Sequence, residues 1–236
     1  MKIGLVSDAH GNPFGLEQCL QYLAEVERVD QLYFLGDAVG YMSGWNEVVA
    51  LLKKYEVTCL MGNHDAMLLG ELTIDAKKDE AYRLKVNRDS FKPEHFEFMK
   101  SWVHSLELEL YGRKVLLVHG SPWQQLTEYI YPDTDLSRFE SLPYDFIITA
   151  HTHRPFIAQA GNIVVANAGS CGMPRDQGDL AACLVYDSAS GKLNIKRLKM
   201  DKSKILNSFS GELHPMVEEC LHREAKQNIN GELING

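Results

Sequence analysis

The chain has 236 residues, with 24 Lys and Arg against 32 Asp and Glu, a formal net charge of −8. Charged residues make up 24% and hydrophobic residues 45%, a globular balance that excludes disordered, collagen-like and low-complexity classes. The acidic surplus excludes a generic nucleic-acid coat, because non-specific binding to polyanions rests on clustered Lys and Arg.

Cys19, Cys59, Cys171, Cys183 and Cys220 are odd in number and show no C-x-x-C spacing, so neither a disulfide framework nor a thiolate zinc site is expected. Free thiols suit a reducing cytosol. Only four apolar residues follow Met1 and Lys2, too few for a secretory leader. No run approaches the roughly 20 apolar residues of a membrane helix. A soluble, cytoplasmic protein of one large domain is expected.

In chain order, residues 3–6 form the first apolar run, and 32–35, 57–61, 115–118 and 146–149 follow. Their length and their β-branched or aromatic content predict buried strands. Between the first two, Leu16, Cys19, Leu20, Leu23 and Val26 recur at helical spacing, with Asn12 as N-cap and Pro13 as the first helical residue. A second helix is predicted over 45–55, capped by Ser43. The charged stretch 75–106 predicts helices interrupted near Pro93. Together with 66–69 it is expected to form a helical cap at about 66–104 over the rim of the sheet. Leu106, Leu108 and Leu110 alternate with Glu107 and Glu109 as a half-exposed strand that turns at Gly112. Later strands are expected at 163–166, 181–186 and 193–198, the last two joined by a Ser190-Gly191 turn. The domain should span 1–200. Residues 201–236 read as a polar, helical or frayed tail in which Asn230-Gly231 and Asn235-Gly236 are loose.

Each of the five earlier strands ends in polar residues: Ser7-Asp8-Ala9-His10, Gly36-Asp37, Gly62-Asn63-His64-Asp65, His119-Gly120 and His151-Thr152-His153. Broadly parallel strands bring their carboxyl ends to one rim, where open α/β sheets bind ligands. Asp8, His10, Asp37, Asn63, His119, His151 and His153 offer carboxylates, imidazoles and one amide oxygen, without sulfur. That set suits Mn²⁺, Fe²⁺ or Zn²⁺ better than Ca²⁺ or Cu(I). Seven donors exceed one tetrahedral zinc and suit two metals sharing a carboxylate. Two ions about 3.5–4 Å apart can hold an attacking hydroxide and the phosphoryl oxygens it reacts with. Singly, each motif is ordinary, since Gly-Asp after a strand is turn chemistry and a lone histidine more often packs. The conjunction of five, in order and at strand ends, carries the metal reading.

These motifs resemble the pattern of the calcineurin-like metallophosphoesterases, D-x-H, G-D, G-N-H-[D/E], H and G-H-x-H, over roughly residues 1–190. Gly36-Asp37-Ala38-Val39-Gly40-Tyr41 and Asn167-Ala168-Gly169-Ser170 resemble a branch of small bacterial and archaeal phosphoesterases. Ala150 stands where the family usually has Gly, a change of little cost unless φ is positive. The resemblance implies a four-layer α-β-β-α sandwich of two facing mixed sheets with flanking helices. It implies two divalent metal ions, manganese foremost, with iron, zinc or nickel as alternatives. One would be held by Asp8, His10 and His153 and the other by Asn63, His119 and His151, with Asp37 bridging. A bridging hydroxide would be the nucleophile. His64, outside the ligand set, would steady the phosphoryl oxygens or protonate the leaving group. The substrate would be a phosphomonoester or a small or cyclic phosphodiester, with no membrane and no long nucleic acid as partner.

Around this set, Arg154 and Arg175 are candidate phosphate forks, because guanidinium matches phosphate geometry. Asn12 is a candidate substrate contact, with helix capping as its alternative. Asp65 is expected to close its turn or to orient His64. His95, His104, His214 and His222 fall outside every motif and are expected to be solvated or packed. Serine/threonine protein phosphatases resemble the chain through Asp8-Ala9-His10-Gly11-Asn12. The arginine they carry after the second motif is absent from Gly36-Asp37-Ala38-Val39-Gly40. A non-catalytic binding module of the same fold is opposed by His64 and the complete ligand set.

Overall fold

Alternation along β1 (Lys2–Val6) sets the architecture: Ile3 and Leu5 enter one apolar core and Val6 enters another. In β2 (Gln31–Phe34), Tyr33 and Phe34 part in the same way. The computed structural model describes residues 1–225 and 229–234. β1 pairs parallel with β2, β2 parallel with β3 (Thr58–Cys59), and β1 antiparallel with β9 (Leu180–Asp187). β10 (Lys192–Lys199) and β11 (Glu232–Ile234) complete a six-stranded mixed sheet in the order β11-β10-β9-β1-β2-β3.

A second mixed sheet uses β4 (Ser105–Leu110), β5 (Arg113–Val118), β6 (Phe146–Thr149), β7 (Phe156–Ala160) and β8 (Ile163–Asn167), in the order β4-β5-β6-β8-β7. Between the sheets, Ile3, Leu5, Leu184 and Tyr186 meet Val115, Leu117, Phe146 and Ile148. The other face of the first sheet is covered by α1 (Pro13–Gln21), α2 (Trp45–Lys54), α3 (Asn63–Leu69), α4 (Ala76–Tyr82), α5 (Leu84–Asn87) and α6 (Pro93–Met99). Their Leu16, Leu20, Val48, Leu52, Ala66, Leu84 and Met99 share a core with Val6 and Phe34. On the outer face of the second sheet, Ile130 and Phe139 from the β5–β6 connection pack on Val118, Ile147 and Val165. Two facing mixed sheets with flanking helices result, as the family resemblance implies.

α1 begins as its sequence signals: Pro13 is its first residue, and Asn12 Oδ1 accepts from the N–H groups of Phe14 and Gly15 at 3.2 and 3.3 Å. Losing this cap in Asn12→Ala is expected to cost about 1–2 kcal/mol in chemical denaturation. Ser43 does not cap α2. Gly44 holds that position, and the Ser43 hydroxyl donates to Glu212 at 2.5 Å. β3 is shorter than the apolar run over 57–61, because from Leu60 the chain turns to bridge Val103. Within the tail, α7 (Lys202–Ser208) and α8 (Pro215–Leu221) are helical and bury Ile205, Val217 and Leu221 in the first core. Asn230 is tied down too, since its Nδ2 donates to the Pro155 carbonyl at 3.1 Å. Asn235 and Gly236 lie outside the described residues. Among the described residues no helix is long and apolar enough to cross a membrane.

Candidate metal centre

Parallel pairing of β1 with β2 and of β2 with β3 in one sheet, and of β5 with β6 in the other, brings five strand ends to one rim. Asp8 and His10 follow β1, Asp37 follows β2, and Asn63 opens α3 after β3. His119 follows β5, and His151 and His153 follow β6. All seven side chains are buried. Five of them (Asp8, His10, Asp37, His151 and His153) hold φ between 48° and 66°. This left-handed region costs an L-residue energy and persists where surroundings over-determine it, most often at functional sites. Here the turns are knitted together: Asp8 N–H donates to the Gly36 carbonyl at 2.9 Å and His10 N–H to that of Asp37 at 3.0 Å. Ala150 is not among the positive-φ residues, so the methyl group that departs from the family glycine brings no backbone strain.

The donors face one another. His10 Nε2 lies 3.0 Å from His153 Nε2, 3.7 Å from Asp8 Oδ1 and 3.6 Å from Asp37 Oδ2, and His153 Nε2 lies 3.3 Å from Asp8 Oδ1. His119 Nε2 lies 3.5 Å from Asp37 Oδ2 and 3.1 Å from Asn63 Oδ1. Asp37, His119 and His151 converge as a second cluster beside Asp8, His10 and His153. Ligands about 2.0–2.2 Å from one cation, at tetrahedral or octahedral angles, stand about 2.8–3.6 Å apart. All the separations but the 3.7 Å between His10 Nε2 and Asp8 Oδ1 fall within that range.

Tautomers strengthen the fit. Nδ1 of His10 donates to the Val39 carbonyl at 3.0 Å, that of His119 to Leu35 at 2.7 Å and that of His153 to Met173 at 2.7 Å. A carbonyl only accepts, so each Nδ1 carries a proton, and the neutral rings of His10 and His153 turn an Nε2 lone pair inward. Two lone pairs 3.0 Å apart, as in His10 and His153, repel unless a cation lies between them. Asp8 Oδ1 and His151 Nε2 are buried without a hydrogen-bond partner among the described residues. These residues therefore fit a divalent cation site.

Charge states agree. Burial first of all lowers His10 to about 4 and both His64 and His151 to about 3, and it holds His153 well below its usual value. These imidazoles are neutral at pH 7, the state a metal requires. His119 is the exception: burial pulls it down, but the Asp37 carboxylate outweighs that and raises it to about 9. Asp37 is held well below the carboxylate range, because its neighbours, the protonated His119 foremost, outweigh its burial. Burial raises Asp8 to about 7.

His64 joins His10 and Asp37 in a third convergence, and its backbone N–H donates to Asp37 Oδ1 at 2.8 Å. Its ring lies 4.2 Å from that of Tyr82 and 5.1 Å from that of Tyr41. Gly40, at φ +95°, leaves the space His64 Nδ1 occupies, and a Cβ there would collide with that nitrogen. Asp65 does not bond His64. Its carboxylate accepts from the N–H groups of Asp37, Ala38, Val39 and Gly62 at 2.7, 3.0, 3.3 and 3.0 Å, tying two motifs together. Asp65→Asn would aim an NH₂ group at these donors. We expect it to destabilise the fold by about 1–3 kcal/mol in urea titrations and to weaken metal retention.

Asn12 takes the capping alternative: it is fully buried, and besides capping α1 its Nδ2 donates to the Gly172 carbonyl at 2.8 Å. Arg175 sits beside the centre. Its backbone N–H donates to the His153 carbonyl at 3.1 Å and its Nη2 to the Tyr41 hydroxyl at 3.2 Å. Arg154 shares with it the wall of a cleft of about 870 Å³, which none of the candidate metal ligands lines. His95 is buried against Asn46, His104 pairs with Glu71 in solvent, and His214 caps α8.

Sequence reasoning missed Tyr82 and Tyr129, which cover His64 and His151, the latter at 3.9 Å between ring centroids. Neither lies in a motif. The orienting carbonyls of Leu35, Val39 and Met173 have no side-chain signature at all.

Two sheets whose strand ends gather buried carboxylates and imidazoles around facing lone pairs define a metallohydrolase-like centre. The Calcineurin-like phosphoesterase superfamily domain matches residues 1–189, and the chain belongs to this family. An uncharacterized protein of Methanocaldococcus jannaschii is 28% identical over 221 residues, 86% of this chain and 89% of its own length. A hypothetical protein of Pyrococcus horikoshii superposes with a TM-score of 0.84 at 20% identity, covering 94% of this chain and 98% of that one. A metallophosphoesterase from Sphaerobacter thermophilus superposes at 0.77 with 22% identity and the same coverage. At such identities the two structures speak for the fold.

Proposed function

We propose that the protein hydrolyses phosphoesters, either monoesters or small or cyclic diesters, at a centre of two divalent cations. The observation that carries this reading is the pair of donor clusters, Asp8 with His10 and His153 and Asp37 with His119 and His151, in which Asp8 Oδ1 and His151 Nε2 are buried without a hydrogen-bond partner among the described residues. Asp8, His10 and His153 would hold one ion, Asn63, His119 and His151 the other, and Asp37 would touch both. Manganese suits the oxygen and imidazole donors, with iron, zinc and nickel as alternatives. When bound, such a pair supplies Lewis acidity and a water acidic enough to act as nucleophile near neutral pH. Residues 1–200 carry every one of these groups. The cytoplasm is the proposed compartment, in keeping with five buried cysteines that are all free thiols.

The chain's own residues supply the rest. His64, a neutral imidazole, offers an N–H that steadies phosphoryl oxygens or passes a proton to the leaving oxygen. Arg175, held by Tyr41, presents a guanidinium fork to the phosphate, and Arg154 extends that positive wall. The net charge of −8 disfavours long polyanions, whereas the cations and Arg175 attract a small one locally.

Metal loading should release protons. At pH 7 the raised His119 carries nearly a full proton, which must leave before its Nε2 can ligate, and Asp8 adds a fraction more. Affinity for Mn²⁺ should therefore rise as the pH climbs from 6 towards 9. Calorimetry in buffers of different ionisation enthalpy should find about one proton or more released per chain. Release of none would remove His119 from the ligand set.

The activity is tested with Mn²⁺-supplemented protein on p-nitrophenyl phosphate and bis-p-nitrophenyl phosphate. Metal-dependent hydrolysis of either supports the reading, and the ratio assigns monoester or diester preference. Hydrolysis of neither, by metal-loaded protein, would contradict it.

A further inference from the structure

We propose that Tyr129 and Tyr131 form a base-stacking subsite beside the metal centre and that the substrate is a nucleoside phosphoester. This rests on the phosphoesterase reading and names its substrate class. Tyr129 lies against His151, with ring centroids 3.9 Å apart and an interplanar angle of 24°. Tyr131 lies nearly parallel to Tyr129, 5.7 Å away at 5°. The buried His151, 5% exposed, is thus followed by two rings that both reach solvent, Tyr129 at 44% and Tyr131 at 37%. A parallel pair of partly exposed phenol rings, leading from a phosphate-reactive centre to solvent, is a platform for another flat ring.

The platform is rigid. Ile130, between the two tyrosines, is 1% exposed and anchored in the core outside the second sheet. Glu128, just before them, accepts the Ser121 hydroxyl and pairs with Arg138 at 2.6 Å, and that guanidinium lies 4.0 Å from the centroid of the Trp123 ring. After them, Tyr131 N–H donates to Thr134 Oγ1 at 2.8 Å. Side chains at 129 and 131 are thus presented in fixed positions, which spares a ligand the ordering cost of a mobile loop.

Position fits a nucleotide. Pro132, which follows Tyr131 in the chain, lines a cleft together with Arg154 and Arg175, so the aromatic segment ends at the wall that carries the candidate phosphate forks. A sugar phosphate alone would leave both rings in water, whereas a purine would cover them. A polynucleotide is disfavoured by the acidic surface.

The test titrates Mn²⁺-supplemented protein calorimetrically with adenosine 5′-phosphorothioate and with ribose 5-phosphorothioate, which is the same ligand without its base. Wild type should bind the adenosine compound at least about tenfold more tightly. Tyr131→Ala should lose most of that advantage and change ribose 5-phosphorothioate affinity less than about twofold, whereas Tyr131→Phe, which keeps the ring, should retain it. Equal affinity for the two ligands in wild type, or an advantage untouched by Tyr131→Ala, would overturn the subsite. Hydrolysis of p-nitrophenyl phosphate is followed in parallel. A base preference without any ester turnover would uphold the subsite and overturn the phosphoesterase reading.

Discussion

Asp37→Asn is expected to lower turnover by about three to four powers of ten and to strip at least one cation from the protein. Asp37 stands between the two clusters. Its Oδ2 is 3.6 Å from His10 Nε2 and 3.5 Å from His119 Nε2, and its Oδ1 accepts the backbone N–H of His64. The amide keeps the size of the side chain but removes the negative charge that two cations would share. Without cations, the same variant reports on the electrostatics. The carboxylate of Asp37 is the main influence lifting His119 to about 9 against burial, so His119 should titrate lower in Asp37→Asn. NMR titration of the imidazole reads this directly. An Asp37→Asn protein with wild-type metal content and rate would remove the shared carboxylate from the account.

His64→Ala is the complementary case. It should retain its cations while kcat falls by about 10²–10⁴, the span typical of a lost acid–base or transition-state donor. The side chain has the placement such a role needs. It converges with His10 and Asp37, packs between Tyr41 and Tyr82, and has a buried Nδ1 with no partner among the described residues. Burial keeps it neutral, with its value lowered to about 3, so it donates a hydrogen bond without adding positive charge that would oppose the cations. Metal analysis and kinetics on the same preparation separate the outcomes. Lost metal would make His64 a ligand, and retained activity would leave it no catalytic part.

The centre was legible because its chemistry sits where short apolar runs stop. β1, β2, β5 and β6 are buried strands with unambiguous composition, and parallel pairing carries Asp8, Asp37, His119 and His151 to one rim. Asn12 and Pro13 marked the start of α1 because capping is a local interaction. What depends on distant partners was hidden. β7 contains Ala158, Gln159 and an exposed Ile157 at the edge of its sheet, so no alternating pattern marks it. β11 is three residues long and exists through its pairing with β10. Ser43 had the side chain of a cap, but Glu212, from a remote segment, claims its hydroxyl. Asp65 looked like a turn residue, and only the fold reveals that it fastens the loop after β2 to the turn before α3. Tyr82 reaches His64 from the last residue of the short α4, and Tyr129 reaches His151 from the β5–β6 connection, where spacing carries no information about direction.

Metal stoichiometry tests the central claim most directly. Protein loaded with Mn²⁺ and freed of excess ion should carry two equivalents per chain by elemental analysis. Phosphoester hydrolysis should disappear with chelation and return as the second equivalent is restored. A chain that binds no metal, or that hydrolyses phosphoesters equally well after complete chelation, would contradict the account.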